Sequence, residues 1–241
     1  MPYTPPQQIL DRYADVLVNF ALGGGTGVSR GDVVRIVAHE SAKPLYAELH
    51  RTCWRAGAHV LGHYLTDDES GMNLTRDFYE LADDEQIDFA ASAYTRGLVD
   101  QMDHQVAIIS DADMRALQGV DPARIMRHGR SFKDLIRWRT AKENAGRFSW
   151  TLGLYGTPAM AAEAGMSEQE YWQQIIDACF LAEEDPIAQW REVSAQIGEY
   201  VDRLNALSID RLHIVGEDVD LWISLGEQRK WVGGSGRNIP S

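Results

Sequence analysis

DVVRIVA, residues 32–38, sets Val33, Val34, Ile36 and Val37 in one short run. β-Branched side chains lose little on a pleated surface, and a brief apolar run suits a strand buried on both faces. HVLGHYL (59–65), QVAIIS (105–110) and RFSWTLGLY (147–155) repeat that texture. Between the first two, Ala42 to Ala56 sets Leu45, Leu49, Cys53 and Trp54 at helical spacing and stops at Gly57. Helical stretches at Leu74–Leu81 and Ser92–Met102 precede the third run, and a long helix after Asp121-Pro122 precedes the fourth. Strands separated by helix-length segments are joined by right-handed crossovers. The predicted fold is therefore α/β, a mostly parallel sheet flanked by helices.

Outward from these runs, Pro5 to Leu22 is an amphipathic helix that stops at Gly23-Gly24-Gly25. From residue 157 the helix starts are explicit. Thr157-Pro158 and Asp185-Pro186 each place a capping side chain before proline, and Ser167 to Glu170 is a capping box. These helices are expected to run to about Leu207. VDLWISL (219–225) then alternates apolar and polar residues, as a half-buried strand does, with RLHIVG before it and QRKWV after it as expected antiparallel partners. The expected division is 1–207 for the α/β domain and 208–241 for the first strands of an incomplete second domain.

Composition narrows the function. The 241 residues are 44% hydrophobic, enough for a substantial core, and carry a formal charge of −13. Nucleic acid and anionic membranes select clustered positive charge, so neither is an expected partner. No stretch reaches the 18 apolar residues of a membrane span. Cys53 and Cys179 lie far apart in apolar helical settings and read as reduced, buried thiols, which fits a cytoplasmic protein.

The candidate motifs are incomplete. GGGTG (23–27) follows a helix and precedes a strand, the reverse of a phosphate loop, and reads as a helix stop. HESAK (39–43) has Lys43 where a zinc helix needs its second histidine, although strand ends in α/β sheets do host ligands. His59 and His63 stand four apart on a strand, roughly 13 Å, too far to share one ion. The acidic runs Asp67–Glu69, Asp83–Glu85 and Glu183–Asp185 read as solvated helix starts. The basic stretch from Arg124 to Arg147 is either an anion or partner surface or a solvated face. No nucleophile elbow is present. Taken alone, these residues describe an acidic α/β domain with no complete catalytic set.

Two longer segments carry a resemblance. TPAMAAEAGMSEQEYWQQIIDACFLAEEDPIAQW (157–190) and GEDVDLWISLGEQRKWVGGSGRNIPS (216–241) resemble the aminopeptidase T-type metalloaminopeptidases. GDVVRI (31–36) and PLYAELHRTCWRAGA (44–58) fit the same pattern, so the resemblance covers essentially the whole chain. The family's usual Thr-Asp-Leu is here Val219-Asp220-Leu221. The resemblance implies a dimeric peptidase that binds two divalent ions, zinc or cobalt, and releases N-terminal residues from peptides. A metal-bound water would attack the peptide carbonyl. In that family the metal ligands follow the Asn-Ile-Pro-Ser run. The expectation is therefore an N-terminal part with no metal or catalytic residue of its own, inactive alone. Arg237 and Asn238 are the residues expected to line the substrate site. The rival expectation is a free-standing α/β binding module.

Overall fold

A computed structural model describes residues 3–69 and 71–233. Contacts divide the chain into two compact units, the first ending at Pro186 and the second beginning at Ile187.

The first unit is built on four strands, β1 (Val33–His39), β2 (His59–Leu65), β3 (His104–Ile109) and β4 (Ser149–Leu154). They form one parallel sheet in the order β2-β1-β3-β4. The four strand runs predicted from sequence are the four strands of this sheet. β1 is central, and its alternate residues Val34, Ile36 and Ala38 are fully buried. The helices α1 (Gln7–Val16) and α2 (Lys43–Arg55) cover that face through Leu10, Tyr13, Leu45, Leu49 and Cys53. Gly62 of β2 is required there, because a Cβ would collide with the Tyr46 hydroxyl and lie 3.1 Å from the His50 ring. After α1 the chain winds through a wide turn at 17–21 and then reverses at Gly23, Gly24 and Gly25, with φ of 65°, 68° and 96°. Those left-handed angles suit glycine and end the helix, as the sequence indicated.

The connection from β2 to β3 carries α3 (Leu74–Leu81), α4 (Asp84–Asp88) and α5 (Ser92–Gln101). Asn73 caps α3, and an Asp83–Gln86 capping box starts α4. Between β3 and β4 the structure corrects the expectation of one long helix. Two helices are present, α6 (Pro122–Ser131) and α7 (Lys133–Asn144), broken at Phe132. The Ser131 hydroxyl donates to the His128 carbonyl and the Phe132 amide tightens onto Gly129, so the ladder is diverted there. Lys142, buried on α7, donates to the carbonyls of Val99, Asp100 and Met102 at 3.0, 3.1 and 2.6 Å and closes the C-terminal end of α5. α8 (Pro158–Glu163) and α9 (Glu168–Ala178) complete the unit, capped by Thr157 and by the Ser167–Glu170 box. Trp172 is fully buried and donates to the Gly156 carbonyl at 3.1 Å.

The second unit holds α10 (Pro186–Ala206) from Ile187 onward and an antiparallel pair, β5 (Arg211–Gly216) and β6 (Val219–Ser224). The register sets Leu212 against Ile223 and Ile214 against Leu221 on one face, and His213 against Trp222 on the other. QRKWV, expected as a third strand, is not one. Trp231 exchanges two hydrogen bonds with the Asn205 side chain, at 2.9 and 3.0 Å, and Arg229 donates to the Leu207 carbonyl at 2.6 Å. This segment satisfies its polar groups on the end of α10 instead of on β6.

Candidate functional site

In an open parallel sheet the strand order reverses beside β1, and ligands bind outside the carboxyl ends of strands at such a reversal. Five polar side chains lie at this edge. His39 ends β1, with Nδ1 3.1 Å from the Thr66 carbonyl. Ser41, one turn into the next segment, donates its hydroxyl to the Asp67 carboxylate. Asp67 is buried, and its second oxygen has no hydrogen-bond partner. Ser110, the residue after β3, is also buried with an unpartnered hydroxyl. Thr157 follows β4, caps α8 and donates to the Asp111 carbonyl. A buried polar atom without a partner is costly, so this edge favours a hydrogen-bond donor. It has neither a paired nucleophile and base nor a ligand set for a metal.

The structure thus separates the three acidic runs. Asp83 begins a helix as expected, but Asp67 is not a solvated helix start. It follows a strand directly, and that position draws it under Ser41. Placement after a strand end was the signal available in the sequence for both Asp67 and Ser110.

The histidine motifs disperse. His59 is exposed, and His63 is half-buried among positive groups. Burial first, then Arg35 and His39, hold the His63 imidazole below its ordinary range, which disfavours its charged form. Among the described residues no three His, Cys, Asp or Glu side chains are grouped to hold a metal ion. Cys53 is buried and reduced, its thiol pushed up to about 12 by burial. Cys179 is half-buried beside Tyr13, and burial raises its thiol as well. It lines an apolar cleft of about 560 Å³ with Tyr13, Ile109, Leu152, Leu154 and Met166. Neither thiol is activated as a nucleophile.

A serine, a histidine and an aspartate do meet at the opposite end of the sheet. The Ser149 hydroxyl lies 2.8 Å from His104 Nδ1, and His104 Nε2 lies 3.0 Å from Asp32. Ser149 also accepts the Gly23 N–H at 2.9 Å, and Asp32 accepts the Ser29 N–H at 2.6 Å. The chain ties the glycine turn and the starts of three strands together through this relay. Its hydroxyl oxygen is occupied by that amide.

The basic stretch is paired in part. Arg124 donates to the carbonyls of Tyr79 and Ala82, and Arg127 forms ion pairs with Asp84 and Asp88 at 2.5 and 2.6 Å. It clamps α6 onto α3 and α4. Arg237 and Asn238 lie outside the described residues.

Comparison with known proteins places this geometry in context. Residues 6–241 match the family described as thermophilic metalloprotease (M29). Aminopeptidase T of Thermus thermophilus is 29% identical over 93% of this chain and 56% of its own length. Aminopeptidase AmpS of Bacillus subtilis is 24% identical over 96% of the chain and 56% of its own length. The solved structure of wild-type AmpT from Thermus thermophilus superposes with a TM-score of 0.75 at 23% identity, covering 95% of this chain and 56% of that one. The chain therefore spans a little over half the length of the relatives it matches. Since the family match runs through nearly every residue, from the first helix to the final Ser241, the chain belongs to the thermophilic metalloprotease (M29) family.

Proposed function

We propose that this chain is the N-terminal portion of a metal-dependent aminopeptidase that removes N-terminal residues from peptides. The observation that carries this reading is the match to Aminopeptidase T along 93% of the chain. In this reading residues 208–241 open the catalytic domain, and Arg237 and Asn238 line the substrate site. Two divalent ions, zinc or cobalt, bind ligands in the part of the relatives' length that this chain does not span. The ions would polarise the peptide carbonyl and supply the attacking water. The described residues do not form a metal-ligand set, so no catalytic step is assigned to them. The enzyme works as a cytoplasmic homodimer. No helix among the described residues is long and apolar enough to cross a membrane.

The test is hydrolysis of aminoacyl anilides with cobalt or zinc added, comparing the complete gene product with residues 1–241. Turnover by the complete product, abolished by a chelator, together with an inactive 1–241 chain is the expected result. Normal turnover by 1–241 alone would place the catalytic set within this chain. Inactivity of both would leave the binding-module reading.

A further inference from the structure

β4 stands last in the sheet order, so one of its edges faces no strand among the described residues. Ser149 and Tyr155 give their amides to the Asp103 and Ile109 carbonyls, at 3.1 and 2.9 Å. The two-residue period of a strand therefore turns the backbone groups of Thr151 and Gly153 toward β3, and those of Trp150, Leu152 and Leu154 outward. The outward Leu154 N–H donates to the Tyr13 hydroxyl at 2.8 Å. The N–H and C=O of Leu152 and the C=O of Leu154 have no hydrogen-bond partner among the described residues.

The apolar cleft of about 560 Å³ opens on this edge. Tyr13, which accepts the outward Leu154 amide, lines it together with Leu152, Leu154, Met166, Ile175 and Cys179. No Asp, Glu, Lys or Arg is among its lining residues, although the chain is 24% charged. Leu152 is 51% exposed and Met166 41%. Edge strands are ordinarily blunted by a charge, a proline or a bulge. SWTLGL holds no charged residue and no proline, and it runs in unbroken register with β3. Backbone and cleft together define the occupant. Outward N–H and C=O groups two residues apart are matched by another extended backbone, whereas a helix keeps its own groups inside. Uncharged walls select apolar side chains, and in an extended chain these fall on every second residue.

We propose that β4 takes up an extended peptide as an added strand, with alternate apolar side chains of that peptide seated in the cleft beside Leu152 and Met166. The inference stands apart from the aminopeptidase reading, and its test reads binding rather than turnover.

The probe is a peptide about as long as β4 that alternates valine with threonine and is acetylated at its N-terminus. It has no free α-amine for an aminopeptidase to act on. The probe is titrated onto the complete gene product, and alkylation of Cys179 by N-ethylmaleimide is followed by mass spectrometry. Cys179 lines the cleft, whereas Cys53 is fully buried. The expected result is a saturable slowing of Cys179 alkylation. Two further peptides carry backbone N-methyl groups on the valine amides or on the threonine amides. A strand presents alternate amides to its neighbour, so one of the two should bind more than about tenfold more weakly while the other keeps its affinity. Leu152→Lys, at an exposed position, should fold like the wild type and lose affinity for the unmodified probe. Equal binding by the two methylated peptides overturns the proposal, because apolar adsorption ignores backbone phase. Unchanged affinity in Leu152→Lys overturns it as well. So does a complete product whose Cys179 alkylation ignores the probe, an outcome that leaves the cleft to another part of the protein or to a second copy.

Discussion

β1 and β6 are strands of similar length and similarly apolar composition, and they end in opposite environments. Val34, Ile36 and Ala38 of β1 are fully buried, whereas Leu221 and Trp222 of β6 are 46% and 58% exposed. A central parallel strand has neighbours on both edges and helices over it, so its apolar residues leave water completely. β5 and β6 pair only with each other among the described residues, and a two-stranded ribbon offers no layer to bury against. Burial is set by the number of layers the topology provides, and a strand's own apolar pattern cannot supply them.

The sharpest way to break this comparison is one truncation in each strand. Ile36→Ala removes a fully buried side chain between α2 and the sheet and should cost about 3 kcal/mol. Leu221→Ala in β6 should stay within about 1 kcal/mol. Urea unfolding of both variants measures the gap. Equal losses would mean that the apolar face of the hairpin is covered in solution.

A second, smaller loss is expected at Lys142. Its ammonium holds three carbonyls at the end of α5, and Lys142→Met leaves them without that donor at about 2 kcal/mol. The same denaturation assay detects it, with a drop in the α5 helical signal at lower denaturant. An unchanged midpoint would show that water replaces the ammonium.

The third effect depends on pH. Burial pushes the Glu48 carboxyl upward, but hydrogen bonds from Arg51 and Arg55, both 2.8 Å, outweigh it and hold the group below its usual range. A carboxyl depressed in the native state contributes stability above the unfolded-state range and loses it as pH falls through the native-state value. Glu48→Gln should therefore cost about 1 kcal/mol at pH 7, and the wild-type advantage should vanish in strong acid. A difference that is constant from pH 7 to acid would assign the loss to packing rather than charge.

The sequence carried the fold well where local chemistry decides structure. The four apolar runs became the parallel sheet, the glycines at 23–25 stopped the first helix, and Ser167 and Glu170 formed their box. It misled where a distant partner outbid local pattern. The apolar residues of QRKWV suggested a strand, but Asn205, 26 residues earlier, takes the Trp231 backbone. The helix through Phe132 looked continuous, yet the Ser131 hydroxyl competes for a carbonyl of its own turn. The polar edge of the sheet was legible only at His39. Asp67 read as surface because its neighbours Asp68 and Glu69 are acidic, and its burial under Ser41 depends on the pairing of β1 with β2.

The smallest effect tests the hairpin from within. Trp222 stacks on His213 with ring centres 4.0 Å apart and planes 7° from parallel, and the Arg211 guanidinium lies 5.4 Å from its ring. With no layer beneath them among the described residues, such cross-strand contacts are the main support the ribbon has there, each on the order of 0.2–1 kcal/mol. Trp222→Ala should speed amide exchange in β5 and β6 by less than about tenfold and leave the β1 amides unchanged. Exchange resolved residue by residue measures both strands in one experiment. If the β1 amides accelerate by the same factor, the two strands open in one cooperative step, and the contrast in burial between them does not mark a contrast in stability.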